Sequence, residues 1–163
     1  MYHLSEAYLM SVVICCLSAL LGALVFGAGS VAPTAVRLLD QQNCALFLRA
    51  YWPTYHRLAT NSGLIMTAIM GVGSVFSAIP LLYVTIILAL SSAMTLCFWG
   101  GLQIIPAINR ARDDGDEKRF DRLHKFDLCL VGIGLLLLLS VITGLVYVLP
   151  GQFTFWPTAP TAH

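Results

Sequence analysis

The chain has few charged residues, and they are absent from three long stretches. Asp, Glu, Lys and Arg make up 10% of its 163 residues, and none of them occurs in 7–36, 58–109 or 128–163. A charged side chain at the centre of a bilayer costs roughly 2.5–3.5 kcal/mol on insertion scales. Uncharged stretches of this length therefore predict membrane spans, in a chain of which 58% is apolar.

The signatures of several common protein classes are also missing. The sequence has no Walker loop, dinucleotide fingerprint, G-x-S-x-G or H-E-x-x-H motif. A net charge of +1 and short basic segments exclude a nucleic-acid surface. The five cysteines are odd in number and show no obvious extracellular pair, so no disulfide framework is expected. An enzyme is therefore the less favoured interpretation, and no catalytic residue is assigned.

The pattern predicts an all-α fold, an integral membrane four-helix bundle in a single domain. A span needs about 20 apolar residues, and proline cannot continue a helix interior, so the ends are placed near prolines. The predicted spans are 7–33, 58–77, 81–108 and 128–149, with a turn around 77–80. Residues 150–163 are predicted to form an interfacial, disordered tail.

The basic residues predict the orientation. All nine lie in 37–57 and 110–125, the segments after the first and third spans. Because Lys and Arg collect in cytoplasmic loops, both main loops are predicted to be cytoplasmic and both termini outside. A cleaved signal peptide is disfavoured, since the residues before the first span include Glu6 and no basic residue.

Each basic segment carries a local prediction. Residues 44–58 mix aromatic side chains with arginines, so we expect them to lie along the inner membrane surface and to be broken at Pro53. An aromatic box for a substrate is the alternative. In the second segment acids precede bases, which suits a helix dipole. It predicts a short cytoplasmic helix that begins near 114–116 and runs into the fourth span, with a solvated face or a docking site for a partner.

Small residues recur at every fourth position in three spans, which lets membrane helices approach closely. These faces indicate tight packing within the bundle, or contact with a partner or a second copy. Their members are Ala19, Ala23 and Gly27; Gly63, Thr67 and Gly71; and Ala89, Ala93, Cys97 and Gly101.

No ionisable residue is expected inside the spans, because the histidines are predicted to lie at helix ends or in loops. No cofactor is predicted, but two candidate sites stay open. His56 and His124 share the cytoplasmic side and are candidates for haem or a metal. Thiol and thioether ligands suit Cu(I), although Cys and Met also fill apolar cores. The candidate copper ligands are Cys15, Cys16, Met66, Met70 and Met94.

Three stretches carry a resemblance to a known family. They are GALVFGAGSVAPTAVRLLD (22–40), FLRAYWPTYHRL (47–58) and IIPAINRARDDGDEKRFDRLHKF (104–126). Together they resemble the bacterial inner-membrane proteins grouped as domain of unknown function 4149, which are similar to the eukaryotic transmembrane protein 205 type. The resemblance implies a four-helix protein of the bacterial inner membrane with no assigned activity, and a metal-drug resistance association of the eukaryotic relatives. Positions that match the family pattern are Pro33, Pro53, Tyr55, Pro106, Phe120, Leu123 and His124.

Pro33 and Pro106 each free a backbone carbonyl one turn earlier, and in lipid such a group needs an internal partner. Asn109, Arg110 or His124 are candidate donors. This predicts a cytoplasmic-side cluster, which is structural or forms a binding pocket. Its members are Tyr55, His56, Asn109, Arg110, Phe120 and His124.

The favoured function is that of a non-enzymatic accessory or assembly component, which acts through protein contacts in the membrane. It rests on the absence of ionisable groups in the spans and on the packing faces. Its expected partners are the lipid bilayer and a membrane protein or a second copy. A small transporter or metal-handling protein is the alternative, and a haem- or quinone-linked redox subunit is a third.

Overall fold

The computed structural model describes the backbone of residues 2–76 and 81–148, which is almost entirely helical and has no strand. The elements are α1 (Tyr2–Phe26), a π-helical segment (Gly27–Val31), α2 (Ala32–Leu38), α3 (Gln41–Phe76), α4 (Leu81–Asp113) and α5 (Glu117–Val148). Because α1, the π-helical segment and α2 follow one another without a break, these residues form four long helical rods. The predicted all-α fold is confirmed. The predicted turn at 77–80 and tail at 150–163 lie outside the described residues.

Three helical stretches of the described chain are long and apolar enough to cross a membrane, as expected for a membrane protein. They are Met10–Leu38, Leu81–Asp113 and Glu117–Tyr147. The helix α3 is not among them.

The prediction that Pro53 breaks the chain was wrong, as was the prediction that 44–58 lies apart from the second span. The helix α3 runs unbroken through Pro53. A proline inside a helix costs about 3 kcal/mol. The neighbouring aromatic side chains offset this cost, since Tyr55 is buried and Tyr51 and Trp52 pack against the core.

The first rod also passes the proline at which it was predicted to end. Pro33 lies in the first turn of α2, a position that tolerates the missing N–H. Before it the hydrogen-bond pattern widens, since the Ala32 N–H donates to the Gly27 carbonyl. The Tyr55 hydroxyl donates to the Leu24 carbonyl at 3.1 Å, so this irregular part of the rod is joined to α3.

The connection between α4 and α5 is a tight turn. Gly115 has a φ of 67°, a conformation that favours glycine, and the Asp116 N–H donates to the Ala111 carbonyl. Asp116 then caps α5, because its carboxylate accepts from the Arg119 N–H at 3.0 Å. The predicted charged helix is confirmed as the first turns of α5, not as a separate element.

The helix α4 is the centre of the bundle and packs extensively against α3 and α5. Gly63 on α3 faces the Thr95 side chain so closely that a Cβ there would lie 2.2 Å from Oγ1. The Thr67 hydroxyl donates to the Ser91 hydroxyl at 3.0 Å. Gly63 and Thr67 of the predicted α3 face therefore act in packing, but against Ser91 and Thr95 of α4, which are not members of its predicted face. Ala89 of the predicted α4 face is exposed, as are Ala19 and Ala23 on α1.

These helices are longer than a bilayer requires. The 36 residues of α3 extend over about 54 Å, against a hydrocarbon core of about 30 Å. The charged residues collect at one end, which we call the charged end. It comprises 41–57 of α3, 101–113 of α4 and 117–127 of α5. The functional site lies where this end meets the apolar part of the bundle.

Candidate functional site

A histidine and an aspartate meet in the interior of the bundle. His56 Nε2 on α3 lies 3.3 Å from Asp127 Oδ1 on α5, and their side chains are 0% and 5% exposed. The second ring nitrogen, His56 Nδ1, lies 3.1 Å from the Phe98 carbonyl oxygen on α4. The His56 imidazole on α3 thus contacts both α4 and α5.

The geometry restricts where hydrogens can sit. A carbonyl oxygen can only accept, so Nδ1 carries the hydrogen that it donates to Phe98. His56 Nε2 faces a carboxylate oxygen at 3.3 Å in a buried position. Neither His56 Nε2 nor Asp127 Oδ1 has a hydrogen-bond partner among the described residues, so this contact is looser than the one to Phe98.

A glycine makes room for the pair. A Cβ on Gly101 of α4 would lie 2.2 Å from His56 Cε1 and 2.8 Å from Asp127 Oδ1. Distances below 3.0 Å force a shift, and here the displaced atoms belong to the Asp127 carboxylate and to the His56 ring, which is held by its contact with the Phe98 carbonyl. Any side chain at this position would therefore displace the pair.

One expectation from the sequence is overturned by this arrangement. His56 was predicted to be a loop or helix-end residue. In the structure His56 is fully buried, because α3 begins at Gln41, well before the predicted start of the second span. Asp127 lies beyond the first turns of α5 and is buried with it.

A pocket of about 240 Å³ lies at the charged end and reaches Asp127. Its wall is largely apolar, and its polar residues are two arginines, an asparagine, a histidine and the aspartate. The lining residues are Val36, Cys44, Ala45, Leu48, Arg49, Trp52, Ile105, Ile108, Asn109, Arg112, Phe120, His124 and Asp127.

One side of the pocket is an ordered stack of side chains. The Arg112 guanidinium lies 5.3 Å from the centre of the Phe120 ring, a cation–π contact. The Phe120 and His124 rings stack with centres 5.6 Å apart and an angle of 15° between them. Phe120, His124 and Asp127 follow at helical spacing on α5, so one face of this helix leads from the arginine to the buried pair.

The other arginine of the pocket bridges two helices. Arg49 on α3 forms an ion pair with Asp113 at the end of α4 through one terminal nitrogen. Its Nε is buried and has no hydrogen-bond partner among the described residues. Arg49 thus carries one buried N–H without an acceptor in the described residues.

The cluster predicted from the sequence is partly assembled. Asn109, Phe120 and His124 line the pocket, and Tyr55 and His56 are buried near it. Arg110 is exposed, and its Nε donates to the Pro106 carbonyl of its own helix at 3.4 Å. Leu123 is half-buried, and Pro106 lies within the unbroken helix α4. The cluster was predicted either to have a structural role or to form a binding pocket, and both hypotheses stay predictions.

The candidate cofactor and metal ligands differ in their burial and in their contacts. Both ring nitrogens of His56 face other groups, which leaves His124 as the more accessible imidazole. Met66, Met70 and Met94 are buried in the core, whereas Cys15 and Cys16 are exposed on α1. The described residues contain no group of three or more His, Cys, Asp or Glu side chains suited to a metal ion.

Sequence reasoning missed Asp127, Gly101, Trp52, Arg49 and Arg112. Asp127 carried a usable signal, since it is the last charge before the uncharged stretch and follows Phe120 and His124 at helical spacing. Gly101 was assigned to a packing face, but its contacts with His56 and Asp127 were not predicted. The roles of the two arginines depend on contacts between distant segments, which no local pattern reveals.

No known protein family, curated protein or solved structure matches the chain. The resemblance to the domain of unknown function 4149 group stays a prediction.

Proposed function

We propose that the protein is a multi-pass membrane protein that binds a small solute in the pocket at its charged end, as a small transporter does. One observation supports this most directly. Asp127 lines the pocket and is also the buried partner of His56. Ionisable groups inside membrane bundles are costly to bury, and they commonly mark the path of a substrate or an ion.

The same observation weakens the accessory role that the sequence favoured. That role rested on spans without ionisable groups, whereas His56 and Asp127 are buried between the helices at the edge of the predicted spans. One observation still supports the accessory role. The α1 face around Ala19 and Ala23 is exposed, and nothing lies within 4 Å of a Cβ placed on Gly22. This exposed face of α1 is the candidate contact for a partner helix or a second copy of the chain.

The proposal includes α3 as the fourth span and places the charged end in the bacterial cytoplasm. The helix α3 packs along α4 and buries Met66 and Met70 far from the charged end. The confinement of all nine basic residues to one end of the bundle supports the orientation. Reporter fusions after Phe76 and after Asp114 test it, and a cytoplasmic signal from the first fusion would contradict it.

Ligand binding is tested with the fluorescence of Trp52, which lines the pocket. The protein in detergent, with Trp99 and Trp156 replaced by Phe, is titrated with a panel of anionic, cationic and neutral solutes. We expect at least one solute to change Trp52 emission and raise the thermal midpoint of the wild-type protein. Asp127→Asn should weaken both responses, and Asp121→Asn, an exposed residue outside the pocket, should retain them in full. A panel without any response would overturn the proposal.

The accessory role is tested separately with cysteine crosslinking in membranes. A variant with the five native cysteines replaced and Cys at position 19 should crosslink to a partner or a second copy if the α1 face is occupied. Cys at position 64 is the control, since Leu64 is exposed on α3. Equal yields at the two positions would show that the contacts are random collisions in the bilayer.

A further inference from the structure

The pocket is rich in hydrogen-bond donors. Arg49, Arg112, Asn109 and His124 all line it and all carry N–H groups, and one of these, Arg49 Nε, is buried without an acceptor. Among the described lining side chains, only Asp127 carries a negative charge. Such a lining suits a ligand with several acceptor oxygens, as in a phosphate group.

The floor of the pocket adds a different preference. Asp127 lines the pocket, and its Oδ1 is buried without a hydrogen-bond partner among the described residues. A carboxylate can accept a hydrogen from a ligand hydroxyl.

The depth of the site fits the membrane surface. His56, Gly101 and Asp127 each lie about 20 residues from the end of their helix opposite to the charged end, or about 30 Å at 1.5 Å per residue. This distance equals the thickness of the hydrocarbon core. The pocket therefore lies at the level where the lipid phosphates of one leaflet meet water.

The volume limits the size of the ligand. One water molecule needs on the order of 10–15 Å³ of such space, so about 240 Å³ holds several waters or a small polar group. A headgroup fits in this space, and acyl chains do not. Chains of a bound lipid would have to remain outside, beside apolar lining residues such as Val36 and Leu48.

From these features we infer that the pocket binds a phosphate ester with a nearby hydroxyl, the chemistry of phosphoglycerol. The phosphate lies among Arg112, Arg49 and Asn109, and the hydroxyl donates to Asp127. This inference rests on the proposed binding function and names its ligand class. The group has two sources, the headgroup of phosphatidylglycerol in the bilayer or a soluble glycerol phosphate.

Two binding measurements separate the sources. The protein in phosphatidylcholine nanodiscs is titrated with sn-glycerol 3-phosphate, and nanodiscs with increasing phosphatidylglycerol content are compared by Trp52 emission. Phosphatidylmethanol, an anionic phosphodiester without the hydroxyl, is the lipid control. We expect one phosphoglycerol source to bind. The matching compound without the hydroxyl, phosphatidylmethanol or methyl phosphate, should bind about tenfold more weakly, as expected for a lost hydrogen bond to a charged group.

Matched variants locate the site. Arg112→Gln removes a lining donor, and Arg119→Gln removes an exposed arginine outside the lining. We expect about tenfold weaker binding in the first and little change in the second. Asp127→Asn should abolish the preference for the hydroxyl. Equal losses at Arg112 and Arg119 would show general attraction to surface charge and would overturn the inference.

The inference and the proposed function fail in different ways. If the solute panel yields a ligand but neither phosphoglycerol source binds, the ligand class is wrong and the binding function stands. If no compound binds in any arm, both are wrong. Binding of methyl phosphate or phosphatidylmethanol as strong as that of the phosphoglycerol forms would overturn the role given to Asp127.

Discussion

His56 Nε2 and Asp127 Oδ1 lie 3.3 Å apart, and both side chains lie against the same backbone position, Gly101 of α4. A helix from the middle of the bundle thus supplies the space in which two side chains from its neighbours meet. The contact depends on what is missing at position 101 as much as on the two residues that form it.

Replacement of Gly101 by Ala tests this dependence. Gly101→Ala should lower the free energy of unfolding in detergent by about 1–3 kcal/mol, because the added methyl overlaps His56 and Asp127. Gly100→Ala is the control, since its Cβ would lie 3.6 Å from the Leu130 side chain, an ordinary contact. Both variants gain about 1 kcal/mol of helix propensity, so the difference between them reports the overlap. Equal stabilities would contradict the close packing.

The energy of the pair itself is measured with a double-mutant cycle. His56→Ala, Asp127→Ala and the double variant should show a coupling of about 0.5–3 kcal/mol in unfolding free energy. Each single change leaves a buried polar group without its partner, and the double change removes both. The cycle of His56→Ala with Asp121→Ala should give a coupling near zero, because Asp121 is exposed. A comparable value in the two cycles would show that the pair is not directly coupled.

Most of the fold could be predicted from the sequence, because long uncharged stretches and basic segments follow from the energetics of the bilayer. The errors lay at prolines. Local propensity predicts a break at Pro53, but the burial of Tyr55 and the packing of Trp52 outweigh it. This error hid the site, since a helix that begins at Gln41 carries His56 into the interior. The meeting of His56 with Asp127 joins residues far apart in the chain, and no local pattern reports it.

The irregular part of the first rod offers a second test of a glycine. A Cβ on Gly27 would lie 2.2 Å from the Tyr51 hydroxyl oxygen and 3.3 Å from the Tyr55 ring, whereas one on Gly22 would meet open space. Gly27→Ala should therefore lower the thermal midpoint in detergent, and Gly22→Ala should leave it unchanged or raise it slightly. A fall of equal size in the two variants would show that the tyrosines do not fix the rod against α3.

The start of α3 has a pH-dependent cap. The Asp40 carboxylate accepts from the Asn43 side chain at 2.5 Å and from the Gln42 and Asn43 N–H groups at 3.1 Å. These bonds, led by that from the Asn43 side chain, hold the pKa of Asp40 below its ordinary value of 3.8. Because the folded pKa is the lower one, the cap stabilises the helix fully above pH 3.8 and loses its effect as the pH falls through the folded pKa.

The carboxyl carbon shift of Asp40, followed by NMR against pH in detergent, measures this effect. In Asn43→Ala the pKa of Asp40 should rise toward 3.8, since the largest cause of the lowering is removed. Asn61→Ala, on an exposed position further along α3, should leave the titration unchanged. An unaltered curve in Asn43→Ala would contradict the cap.

The glycine beneath the His56–Asp127 contact has a consequence for how the sequence can diverge. A side chain at position 101 overlaps the imidazole and the carboxylate, and loss of either polar partner leaves the other without its match. We therefore expect the residues at positions 56, 101 and 127 to change together during evolution. Among descendants of this chain, a change at position 101 should be found only where positions 56 and 127 have already lost their histidine and aspartate.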